Sequence, residues 1–155
     1  MSTARHLLAA TVLLAAPLLG QSRSQVQAYV KEAVAFAQTH SREVFLREVT
    51  ELTGRFHFHA GKEHGLYLFV YDLKGTVLAH GARPELVGID RWEAWDPDGK
   101  PWVQERTRLV QEKGHGWIEY RESNPAAHNR YMKKQSWVEL WDGMVIGAGT
   151  YLASE

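Results

Sequence analysis

His57, His59 and His64, with Glu63 beside the last, form the densest group of potential metal ligands in this 155-residue sequence. Alternate residues of an extended segment project to one face, so His57 and His59 can present two imidazole nitrogens and His64 a third. That set suits zinc, nickel or copper. Solvated polar connectors carry the same spacing, and imidazoles that titrate near neutral pH give a further reading. Covalent or hydrolytic chemistry finds no support: the chain has no cysteine, no Gly-x-Ser-x-Gly elbow, no HExxH helix and no phosphate loop. Asp96-Pro97-Asp98-Gly99 holds only a fragment of a calcium loop and reads as a turn. The expectation is a protein that is not an enzyme and needs no cofactor.

The elements that must position any site begin with Leu66 to His80. Leu66, Leu68 and Val70 point one way and Tyr67, Phe69 and Tyr71 the other, which describes a central strand covered on both faces. Asp72 and Gly75 close a tight turn into a second strand. Upstream, Ser24 with Gln27 forms a capping-box pattern ahead of an amphipathic stripe of Val26, Tyr29, Val30, Ala33, Val34 and Ala37. Ser41 opens a second helical stretch through Val44, Phe45, Val49 and Leu52 to Gly54, and the two stretches are read either as separate helices or as one long bent helix. Pro101 suits a first helical position, with Trp102, Val103, Arg106, Leu109 and Val110 as the stripe. A short strand from Gly116 to Arg121, a longer one from Tyr131 to Trp141, an Asp142-Gly143 hairpin turn and a last strand from Met144 to Leu152 complete the order. Gly147 and Gly149 leave room for something to approach that last strand. One sheet with helices is an α+β domain.

Eighteen basic and eighteen acidic residues balance, and no basic run offers a patch to nucleic acid or an anionic membrane. Arg5 and His6 precede an apolar run from Leu7 to Leu19, thirteen residues long, where a membrane span needs about 20. With small residues at Gly20 and Ser22, residues 1–22 read as a signal peptide, and residues 23–155 as one exported domain, periplasmic or secreted. A mature start near Gln21 is the alternative.

Four blocks, in order, resemble the single Cache domain, a PAS-like extracytoplasmic sensing module of chemoreceptors and histidine kinases. They are Val34-Ala35-Phe36; Phe69 to Asp72 with Gly75 and Leu78-Ala79-His80; Leu86-Val87-Gly88 with Asp96 to Gly99; and Gly116 to Tyr120, Lys134 to Val138 and Gly147 to Tyr151. The resemblance covers nearly all of the expected mature chain. It departs from the family pattern at Trp137, where tyrosine is usual, and at Gly81, where proline commonly follows the histidine. It implies a PAS-like Cache fold: a central antiparallel sheet of about five strands, the long N-terminal helix on one face and a small-molecule pocket on the other. It also implies binding of a short carboxylate or similar metabolite without turnover, by a sensor fold that here lacks its transmitter.

Such a pocket combines apolar walls with a few convergent polar groups. Tyr71, His80, Trp92, Tyr120 and Lys134 fit, and Ser136 shares the strand parity of Lys134. An anionic ligand would use the histidine proton, the phenol and the ammonium, with Arg83 as an alternative cation. The competing reading makes Tyr71 and Tyr120 core aromatics and Lys134 a solvated strand residue. Trp92 and Trp95 would form a lid or close the core, and Trp102, Trp117 and Trp141 are read as packing residues. The expected partners are a short organic acid and, for an adaptor reading, a membrane receptor, a histidine kinase or a second copy of the chain. Nucleic acid is not expected.

Overall fold

The computed structural model describes residues 21–58 and 66–152. The apolar leader up to Gly20, and with it most of the expected signal peptide, lies outside the described residues, as do His59, Glu63 and His64.

The first helix, α1 (Arg23–Thr39), buries Val26, Val30, Ala33 and Val34. It starts two residues earlier than expected. Ser22 accepts from the amide of Gln25, while the Gln25 side chain accepts from the Ser22 amide. The same S-x-x-Q spacing occurs at Ser22 and at Ser24, and the earlier pair forms the box. α2 (Arg42–Thr50) is a separate helix capped by Ser41, because His40 between them is extended. Leu52 does not join its stripe and is 74% exposed.

Strands β1 (Leu68–Asp72), β2 (Val77–His80), β3 (His115–Asn124), β4 (Arg130–Trp141) and β5 (Met144–Tyr151) form one antiparallel sheet in the order β2-β1-β5-β4-β3. β3 runs past the short segment expected, pairing with β4 over its whole length. Asp142 and Gly143 both take positive φ in the turn between β4 and β5, as a type I′ hairpin requires. α3 (Trp102–Lys113) follows Pro101, which stands one position before the helix, and stops at left-handed Gly114.

Strand alternation divides the core into two layers. Leu68, Val70, Met144, Ile146 and Ala148 pack under α1 and α2. Phe69, Tyr71, Ile118, Tyr120, Val138 and Val145 pack under α3 with Trp102, Val103 and Val110. Trp92 joins this second layer at its margin, whereas Trp95, expected beside it to form a lid or close the core, is 59% exposed. Asp96 fastens the irregular segment before α3 to the sheet, its carboxylate accepting the amides of Asp98, Lys100 and Arg121. Burial alone would raise its pKa, but these three amides hold it below the usual value.

Candidate functional site

On the α3 face, β4 contributes Lys134 and Ser136, both fully buried. Register explains the company they keep. Lys134 lies directly between Tyr120 of β3 and Tyr151 of β5, and the side chains of all three fall on one face. Gly149 makes room: a methyl group there would meet the Ser136 hydroxyl, the Gln135 carbonyl oxygen at 2.7 Å and Lys134 Cε at 2.9 Å. Gly147 does the same for Phe69, whose ring would lie 2.5 Å from an added methyl.

Lys134 Nζ donates to the Tyr67 phenol oxygen at 2.8 Å and to Glu122 Oε2 at 3.0 Å. Tyr151 donates to the Ser123 carbonyl at 2.8 Å. A phenol has one proton, so the 2.8 Å contact between the two hydroxyls is donated by Tyr67. Arg83 also donates to Ser123, at its carbonyl (3.0 Å) and its hydroxyl. Arg83, weighed as a replacement for Lys134, is half-buried and engaged with Ser123, whereas Lys134 is fully buried. Tyr120 and Ser136 share a hydrogen bond of 3.1 Å.

Burial alone would raise the Glu122 pKa, but the Lys134 ammonium, with His80 beside it, brings it down to about 2. Burial lowers that of Lys134, with Glu122 opposing. The pair is charged and internal. Burial raises the pKa of Tyr67, Tyr120 and Tyr151, and Glu122 pushes the same way, so all three are protonated. His80 is 2% exposed. Its Nδ1 accepts the amides of Ala82 and Arg83 at 3.2 and 3.0 Å. Burial lowers its pKa to about 3, so the ring is neutral with its proton on Nε2.

The residues singled out from sequence divide into two groups. His80 stands against the Tyr67 ring, with centroids 5.2 Å apart, and belongs with Lys134. Tyr71 is not opposite His80, whose cross-strand partner is Phe69. Instead Tyr71 lies under Arg106 of α3, the guanidinium carbon 3.8 Å from its ring centroid. Trp92 touches this region through its carbonyl, which accepts from Gln104.

Arg106, Glu122, Tyr67, Tyr151 and Trp102 were not among the expected site residues. Arg106 is 1% exposed and also stands 4.7 Å from Trp102 and 4.8 Å from Phe69. Trp102 in turn stacks on Tyr120 at 4.6 Å. Arg106 Nε and Nη2 are buried without a hydrogen-bond partner. Lys134 Nζ shares the Phe69 ring at 5.3 Å. The buried nitrogens without a hydrogen-bond partner are those two of Arg106, and the Lys134 ammonium has a third proton beyond its bonds to Tyr67 and Glu122. Such donors suit an anion.

Among the described residues no three histidine, aspartate or glutamate side chains stand together as a metal site. His57 engages the Thr50 carbonyl through Nδ1, which requires that nitrogen to carry the proton. No described helix is long and apolar enough to cross a membrane.

A family model, Single Cache domain 2, matches residues 20–154. Methyl-accepting chemotaxis protein McpP of Pseudomonas putida (strain KT2440) is 28% identical over 134 residues, 85% of this chain, and the chain spans about a quarter (24%) of that protein's length. Two solved structures superpose over 84% of this chain. One, a Cache chemosensory domain studied for carboxylic acid recognition, is 27% identical with a TM-score of 0.67 over 92% of its own length. The other, a periplasmic sensor domain of a chemotaxis protein, is 26% identical with a TM-score of 0.68 over 94%.

Proposed function

This chain belongs to the single Cache domain family, and on that premise we propose that it is a sensory domain that reversibly binds a short carboxylate without turnover. The observation that carries this reading is Arg106, a buried guanidinium with two unpartnered nitrogens on the same ring as Lys134. An orphaned buried donor costs about 1–3 kcal/mol. A carboxylate is the planar, two-oxygen acceptor that removes that cost. The similar Cache domain with carboxylic acid recognition supports the same class of ligand. Because Arg106, Lys134, Phe69, Tyr71 and Trp102 are all buried, the ligand is small.

The domain is exported, with its leader ending at Gly20. A cut after Ser22, the boundary expected from small residues alone, would remove both the α1 cap and the buried Gln21. Membership of a chemoreceptor-like signalling system follows the character of its relatives.

A thermal-shift series with acetate, propionate and their neutral amides tests the ligand class. At a hundredfold excess over Kd the acids should raise the melting temperature by on the order of 5–10 °C, and the amides should not. No shift with any short acid would contradict the reading.

A further inference from the structure

Four ionised side chains are buried among the described residues: Asp96, Arg106, Glu122 and Lys134. Asp96 is satisfied by three backbone amides in its own turn and at β3. Lys134 and Glu122 neutralise each other at 3.0 Å. Arg83 and Arg91 are only half-buried and remain in contact with solvent. His80 is neutral. Of the four, Arg106 has neither a carboxylate partner nor a hydrogen bond on Nε and Nη2, and it meets only the ring faces of Phe69, Tyr71 and Trp102.

We propose that Glu122 is a specificity-determining residue: by occupying Lys134 it leaves a single cation to be neutralised, so the site admits a monoanion and refuses a dianion. The inference rests on the carboxylate-binding reading above and adds to it the charge of the ligand and the residue that sets it. A second ligand carboxylate would enter beside the Glu122 carboxylate, which already neutralises the nearby ammonium. Placing an unpaired charge in such an interior costs several kcal/mol. Glu122 is thus an internal stand-in for the second carboxylate of a diacid.

Propionate and malonate, equal in carbon number but different in charge, separate the cases by titration calorimetry. The wild type should bind propionate and give no measurable heat with malonate. In Glu122→Gln the amide oxygen still accepts from Lys134, but the negative charge is gone. Malonate affinity should rise at least tenfold. Equal binding of both acids by the wild type, or no gain of malonate in Glu122→Gln, would overturn the proposal while leaving the carboxylate reading intact. A wild type silent to both acids would remove that reading first. If Glu122→Gln does not fold, the double variant Glu122→Gln/Lys134→Met replaces the buried pair with neutral groups and keeps one cation. It should prefer propionate, and a preference for malonate would overturn the proposal.

Discussion

His80 illustrates how single side chains are tuned here. Two backbone amides point at its Nδ1, and burial takes its pKa down to about 3, whereas an unfolded histidine titrates near 6.5. Below about pH 6.5 the unfolded chain binds a proton that the folded chain refuses, so this contribution is complete above that pH and is lost as pH falls toward 3. Glu122, held at about 2, adds a loss in the same direction below the usual carboxylate range. Urea unfolding should give a stability about 2 kcal/mol lower at pH 5 than at pH 7 from His80. In His80→Asn, whose amide oxygen can still accept from Ala82 and Arg83, that slope should flatten, and an unchanged slope would refute the assignment. Histidine and lysine were legible as site candidates because their chemistry is conspicuous in an apolar strand. Arg106 was not, since its spacing from Trp102 and Val110 places it in the apolar stripe of α3 and nothing local says that an arginine there is unpaired.

Among the elements, β4 and β5 do most of the positioning. The parity of Lys134 and Ser136 followed from strand alternation alone, and so did the split of Leu68 and Val70 from Tyr67, Phe69 and Tyr71. Cross-strand register was beyond reach, because it depends on which strands neighbour one another. The Tyr120, Lys134, Tyr151 row, and the diagonal reach of Glu122 to Lys134, come from the order β2-β1-β5-β4-β3. The glycines of β5 were recognised as leaving space, and that space holds the Lys134 and Phe69 side chains. Gly149→Ala would push a methyl group against the Gln135 backbone and Lys134 Cε, an overpacking that costs about 1–3 kcal/mol. The urea midpoint should fall accordingly, with acid binding weakened in the same variant. A variant as stable as the wild type, with unaltered binding, would mean that the β4–β5 face is looser than described. The helix start was misplaced by two residues because Ser22 had been assigned to the leader, whereas it caps α1.

Across the whole molecule, charge neutrality and the absence of cysteine bounded the class, and an α+β domain of one sheet with helices was expected from periodicity, while the helix on one face of that sheet came only with the family resemblance. The architecture puts its dry aliphatic layer under α1 and α2 and its charged and aromatic layer under α3. On the proposed reading, recognition uses the α3 face, opposite the aliphatic layer under α1 and α2. Arg106 is the place where stability and recognition oppose each other, since an unpaired buried cation weakens the empty domain. The most direct measurement is calorimetric titration of propionate into the wild type and into Arg106→Met, with the melting temperature of each empty protein alongside. The account predicts one propionate per wild-type chain, none bound by Arg106→Met, and an empty variant that melts no lower than the wild type. Wild-type affinity in Arg106→Met would contradict it.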